Sequence, residues 1–189
     1  NLLFSPNLNR KKQSKNKIVY AVTVKAIQNM QFLGAETYDE FIDNILYLSS
    51  NLNMYNLVVQ VHPSFRDIFK KNEKFFPSIS FSYQEISKVI KNASCVISYS
   101  STVIENALNN KIPVILFDKV NRYKHCDSLD LEMNYYEPYP VYYVRTGSTL
   151  VKNIKSIIDK KNAEITDWSS HIFTETKVEN LNDVFANKI

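Results

Sequence analysis

Residues 95–118 read C-V-I-S-Y-S-S-T-V-I-E-N-A-L-N-N-K-I-P-V-I-L-F-D. Their apolar runs predict a buried strand over 95–98, a short helix over 103–109 and a second buried strand over 114–117. Ser100, Ser101 and Thr102 form the turn that enters the helix, and Ser98 brings the hydroxyls to four within five positions. Free N–H groups at a helix start, together with the positive end of its macrodipole, favour an anion such as phosphate. Glu105 lies one turn further on, within reach of a sugar hydroxyl on a ligand whose phosphate sits at the turn. Thr102 and Glu105 also spell a capping box, S/T-x-x-E, which needs no ligand. The spacing allows either.

Outward from this stretch, the chain alternates apolar runs with amphipathic ones. Residues 17–23 (K-I-V-Y-A-V-T) and 56–61 (N-L-V-V-Q-V) suit buried strands, and 79–81 and 141–144 suit shorter ones. Residues 37–52 open with Thr-x-x-Glu and place Phe41, Ile42, Ile45, Leu46 and Leu48 on one face of a helix. Further helices are expected over 64–72, 84–92 and 148–161, the last with Leu150, Val151, Ile154, Ile157 and Ile158 as its apolar face. Loops are expected over 24–36 and over the aromatic, charged stretch 118–140. Continuous apolar strands alternating with helices predict an α/β fold, a Rossmann-like, mostly parallel sheet with helices on both faces. Ligands in such sheets sit outside the carboxyl ends of the strands, where the strand order reverses.

Composition bounds the function. The 189 residues, 44% hydrophobic and 22% charged, fit a globular domain with a real core. We divide them into a linker or truncated preceding element at 1–16, a Rossmann-like domain at 17–161, and a tail from 162 to 189 that packs back on the domain through Trp168 before fraying. No run approaches a membrane span or a signal peptide, so the expected location is the cytoplasm. Much of the net charge of +4 comes from Arg10, Lys11, Lys12, Lys15 and Lys17. Such a run reads as a solvated segment rather than a nucleic-acid site, and it also suits a peripheral position at the inner face of the cytoplasmic membrane. Cys95 and Cys126 match no disulfide framework or metal spacing and are expected to be free thiols. With only Gly34 and Gly147 present, a G-x-G-x-x-G fingerprint and a P-loop are both impossible. Phosphate must then be held by hydroxyls, N–H groups and side chains, and no metal is expected.

Other candidates fall at predicted strand ends. Thr23 ends the first strand. His62 precedes Pro63 at the end of the second and is placed to donate to a phosphate or, as a loop histidine, to cap the next helix. Asp118 is either a ligand contact or a turn starter. Arg122, His125 and Asp127 lie on a loop able to close over a ligand, or form a solvated connection. The Tyr135-Tyr136 and Tyr142-Tyr143 pairs read as packing or, for one ring near the site, as a face for a nucleobase.

The order K-I-V-Y-A-V-T, V-V-Q-V-H-P and A-S-C-V-I-S-Y-S-S-T-V-I-E-N-A-L-N-N-K-I-P-V-I resembles the C-terminal nucleotide-binding domain of GT-B glycosyltransferases. It is most similar to bacterial surface-polysaccharide enzymes with His-Pro and Ser-Ser/Thr motifs: capsular Kdo transferases, polysialyltransferases and CDP-glycerol glycerophosphotransferases. The resemblance covers about residues 17–118. It implies one half of a GT-B architecture, in which His62 holds the donor phosphate, Ser100, Ser101 and Thr102 bind it through hydroxyls and amides, and Glu105 takes a ribose or sugar hydroxyl. The donor would be a CMP-, CDP- or UDP-linked sugar, with no other cofactor, and the acceptor a glycan or lipid-linked chain. The acceptor-binding N-terminal domain, for which 189 residues leave no room, would come from the rest of a longer enzyme or from a partner subunit. VISYSST, ENAL and IPVI are also similar to UDP-N-acetylglucosamine 2-epimerases, although these carry Gly-Gly where this chain has Ser-Ser-Thr. A nucleotide-binding or protein-interaction module without chemistry is the alternative from another class.

Overall fold

The structure, a computed structural model, describes residues 16–21, 37–77, 79–122, 124–159 and 164–168. Among these, seven strands form one sheet: β1 (Lys17–Ala21), β2 (Asn56–Gln60), β3 (Ser80–Ser82), β4 (Ala93–Ser98), β5 (Val114–Phe117), β6 (Leu129–Asp130) and β7 (Val141–Val144). Their order is β3-β2-β1-β4-β5-β7-β6, and every pairing is parallel. The expected loop over 118–140 is therefore interrupted. Its Leu129 and Asp130 pair with Tyr142 and Tyr143 and extend the sheet by one short edge strand.

Five helices cover the two faces: α1 (Tyr38–Asn51), α2 (Arg66–Asn72), α3 (Ile86–Ile90), α4 (Val103–Asn109) and α5 (Gly147–Asp159). Alternate strand residues point to opposite sides of the sheet, so each strand feeds two cores. On one side Ile18, Tyr20, Cys95, Ile97, Ile115 and Phe117 meet Phe41, Ile45 and Leu48 of α1 and the apolar face of α5. On the other, Val19, Val96, Val114 and Leu116 meet Val89 and Ile90 of α3 and Ile104, Ala107 and Leu108 of α4. Ile165 and Trp168 are buried in this second core. The Rossmann-like α/β fold follows from strands that are apolar on both faces and so must be covered on both.

Local chemistry sets the helix ends. Thr37, with extended backbone, caps α1: its hydroxyl accepts from the Glu40 amide and the Glu40 carboxylate accepts from the Thr37 amide. Asn44 of α1 donates through Nδ2 to the buried Tyr20 hydroxyl at 3.1 Å, pairing two polar side chains inside the core. Lys17 leaves the basic run in which its sequence places it. Its amine donates to the carbonyls of Val89 and Lys91 at the end of α3, and burial lowers its pKa.

Scarcity of glycine also shows in the backbone. Among the described residues the positive φ values fall on Asn92, Lys111 and Asn121. Lys111 follows α4 in a Schellman arrangement, with the Ile112 amide bonded to the Ala107 carbonyl and the Lys111 amide to that of Leu108. A lysine Cβ is strained at φ 55° where glycine is not. Lys111→Gly is therefore expected to stabilise the protein by about 0.5–1 kcal/mol in urea unfolding. A loss of stability would show that this turn carries no such strain.

Candidate functional site

The strand order reverses between β1 and β4. From β1 the sheet grows one way through β2 and β3, and from β4 the other way through β5, β7 and β6, so the switch point of the sheet lies at the carboxyl ends of β1 and β4. The turn after β4 is the Ser100–Ser101–Thr102 sequence. Its position in the fold thus coincides with the place where such sheets bind ligands.

The four hydroxyls of the turn have different surroundings. Ser98 is fully buried and donates to the Ala21 carbonyl at 3.2 Å, tying the end of β4 to the end of β1. The side chain thereby ties the two strand ends together next to the turn. Ser101 accepts from the Val103 amide at 3.3 Å and so starts α4. Thr102 is exposed and makes no cap hydrogen bond, so the capping box allowed by Thr102 and Glu105 is not formed. The reason is in the backbone. Thr102 has helical dihedrals, φ −59° and ψ −11°, whereas a capping side chain needs the extended conformation that Thr37 adopts.

The loop after β5 folds back over this turn. His125 reaches Ser100, with Nδ1 at 3.1 Å from Oγ, and its Nε2 lies 4.0 Å from Glu105 Oε1. Three side chains from the turn, α4 and the loop are thereby joined: Ser100, His125 and Glu105. Sequence placed His125 only on a loop able to close, and no local pattern pairs it with Ser100.

Arg122 is also drawn in. It lies 5.0 Å over the Tyr99 ring, contacts both Glu40 carboxylate oxygens at 2.5 Å, and stands 3.7 Å from Asp118 Oδ1. Burial pushes the Glu40 carboxyl up, but hydrogen bonds from the Thr37 amide and Arg122 outweigh it and hold that carboxyl below its ordinary value. Asp118 is fully buried and accepts through Oδ2 from the Arg122 amide at 2.6 Å and the Tyr143 hydroxyl at 2.9 Å. Asp118 thus starts the turn that follows β5, and Arg122 is engaged with two carboxylates. Burial, with the bond to Asp118, pushes the Tyr143 hydroxyl up to about 12. Asp127 is held by the Ser128 amide and the Tyr139 hydroxyl.

His62 follows β2 and is exposed, and its carbonyl accepts from the Phe65 amide as the chain turns into α2. It stands at the same edge as the Ser100 turn, but β1 intervenes between β2 and β4. Two strand spacings, about 10 Å, separate the two strand ends. Thr23 and the loop over 24–36 lie outside the described residues, as do Arg10, Lys11, Lys12 and Lys15. Cys95 and Cys126 are free thiols, pushed by burial up to about 12 and about 11. Neither has the lowered pKa of a nucleophile. A cavity of about 390 Å³ lined by Glu73, Lys74, Phe76, Pro77, Ile79 and Phe81 lies at the β3 edge, away from the strand-order reversal.

No family model and no curated protein matches the chain. Among solved structures, two variants of the wall teichoic acid polymerase TagF superpose with a TM-score of 0.51 at 17% and 18% identity, covering 84% of this chain. A UDP-GlcNAc 2-epimerase from Methanocaldococcus jannaschii, solved with UDP-GlcNAc and UDP, aligns at 14% identity over 83% of this chain with a TM-score of 0.49. The chain spans 38% of the TagF chains and 43% of the epimerase. The TagF likeness shows a GT-B-type, Rossmann-like fold. Among the described residues no helix is long and apolar enough to cross a membrane.

Proposed function

We propose that the chain is the donor-nucleotide half of a glycosyltransferase that builds bacterial capsule, lipopolysaccharide or a related surface glycan. The observation that supports this is the hydroxyl-rich Ser100–Ser101–Thr102 turn at the strand-order reversal of an all-parallel sheet, with Glu105 and His125 beside it. A nucleotide-activated sugar would place its phosphate at the turn and a ribose or sugar hydroxyl against Glu105. As the sugar leaves, negative charge grows on the departing phosphate. Hydroxyls and amides of the turn, together with the His62 imidazole, would stabilise that charge. An acceptor-binding domain, outside this chain or supplied by a partner subunit, would deprotonate the acceptor hydroxyl. The mechanism calls for no metal, and the work would be done in the cytoplasm or at the inner face of its membrane.

Titration with CMP, CDP and UDP, followed by thermal shift and calorimetry, tests the donor site. A nucleotide at one hundred times its Kd adds about 2.7 kcal/mol of stability if it binds only the folded chain. His62→Ala and Ser101→Ala are each expected to weaken that binding about tenfold, measured against each variant's own unliganded stability. Turnover of a UDP-sugar by the isolated chain would point to an epimerase instead. Absence of any shift would leave a module that binds proteins and not nucleotides.

A further inference from the structure

The segment 66–75 carries apolar side chains on two sides. Phe69 is buried and packs edge-on against Phe41 at 5.1 Å, and with Phe65 it fastens α2 to the core. Ile68 and Phe75 lie outside both cores and are 45% and 66% exposed. Asn72 and Glu73 keep right-handed helical dihedrals, so α2 runs on into the single 3₁₀ turn Glu73–Phe75. Ile68, Lys71 and Phe75, at i, i+3 and i+7, therefore follow one outer stripe. A ring so exposed is at a cost until something apolar covers it.

The charges beside this stripe decide what can cover it. Lys70, Lys71 and Lys74 are exposed, and Lys74 Nζ lies 5.1 Å over the Phe75 ring. With Arg66 the segment holds four cationic residues against two acidic ones. Asp67 sits in the first turn of α2, at the end away from Phe75, and the Glu73 carboxylate accepts from the Tyr83 hydroxyl. Arg66 also turns to Tyr83, donating to its carbonyl at 2.9 Å, and Lys70 Nζ lies 5.6 Å over the same ring. Lysine is depleted where proteins meet proteins, whereas lysines beside an exposed phenylalanine suit the headgroup layer of an anionic bilayer. Lys74 also lines the cavity of about 390 Å³ at the β3 edge, which leaves room for a headgroup beside the ring.

We propose that residues 68–75, at the β3 edge of the sheet, form a docking surface for an anionic lipid bilayer. Ile68 and Phe75 enter the boundary between headgroups and acyl chains, and Lys70, Lys71 and Lys74 pair with headgroup phosphates. β3 is the outermost strand on its side, two strands out from β1. The surface therefore lies apart from the carboxyl ends of β1 and β4, and docking does not rest on the nucleotide-binding reading of that place.

The test is flotation of the full chain with vesicles of phosphatidylcholine, and of phosphatidylcholine mixed about two to one with phosphatidylglycerol. The mixed vesicles should bind at least about tenfold more tightly. Raising NaCl to about 0.5 M should release most of the protein. Lys70→Gln, Lys71→Gln and Lys74→Gln combined should weaken binding about a hundredfold, from roughly a fivefold loss per lysine. Phe75→Ser should weaken it about tenfold. These side chains are exposed, so urea unfolding of the variants should match wild type, which separates lost binding from lost fold. As a second measurement, the indole of Phe75→Trp should be quenched by brominated acyl chains, whereas in wild type Trp168, 6% exposed, should not. Vesicle binding unchanged by both sets of substitutions would move the contact to another surface, such as the basic run at 10–15, and overturn the proposal. Absence of binding to either vesicle at low salt would also overturn it and leave this face to a protein partner. Calorimetric titration with CDP should give the same Kd in wild type and in these variants. Failure of CDP to bind any of them would count against the donor site alone, and weaker CDP binding in the variants alone would overturn the separation of the two surfaces.

Discussion

Asp118→Ala is expected to lower the unfolding free energy by about 3 kcal/mol, near the low end of what removing one partner of a buried charge pair costs. The carboxylate is fully buried and serves three groups at once: the Arg122 amide, the Tyr143 hydroxyl and, at 3.7 Å, the Arg122 guanidinium. Its removal leaves the tyrosine hydroxyl only Asn121 Oδ1 at 3.2 Å, takes the acceptor from the Arg122 amide, and leaves Glu40 as the one carboxylate on the Arg122 guanidinium. Asp118→Asn keeps an acceptor for Tyr143 and the amide and should lose about half as much. Urea unfolding of both variants measures the difference. A loss below about 1 kcal/mol for the alanine variant would mean that the loop after β5 is held by something other than this carboxylate. Because that loop carries His125 to Ser100, Asp118→Ala should also weaken nucleotide binding without touching the ligand.

Trp168→Ala is expected to cost about 3–5 kcal/mol, the range for truncating a buried tryptophan. The indole is 6% exposed and, with Ile165, joins the core formed by Val96, Val114, Ile104 and Leu108. It seals the face of the sheet that α3 and α4 cover. Trp168 is the only tryptophan in the chain, so its emission reports the packing directly. In the native protein it should be blue-shifted and move to the red in the same urea transition that circular dichroism follows. A red-shifted native emission, or a variant as stable as wild type, would remove residues 164–168 from the core. Under the expected result a chain cut after residue 161 should be destabilised by at least as much, since it loses Ile165 as well.

Much of the sheet was legible because burial on both faces writes itself as continuous apolar runs. Helix 103–109 and strand 141–144 have the same bounds in the sequence reading and in the structure. Helix 84–92 shortens to Ile86–Ile90, because its ends depend on turn geometry: Glu85 is non-helical and Asn92 has φ 62°. The Thr37–Glu40 box formed, yet the same pattern at Thr102–Glu105 did not. A capping motif specifies which side chains are available, and the preceding chain decides whether the backbone enters extended or already helical. The strand before Thr102 ends only four residues earlier, and Thr102 already has helical dihedrals, so the hydroxyl that meets a helix amide is that of Ser101.

The sequence by itself determined the α/β class, the hydroxyl-rich turn and the exclusion of glycine-based phosphate loops, since each depends on residue types a few positions apart. Only the tertiary structure decided which distant side chains meet there. Arg122 joins Glu40 across 82 residues, and His125 joins Ser100 across 25. It also showed that Ser98 ties the end of β4 to the end of β1. Local periodicity carries no information on these pairings, because they are fixed by the strand order and by the path of one loop held down through Asp118.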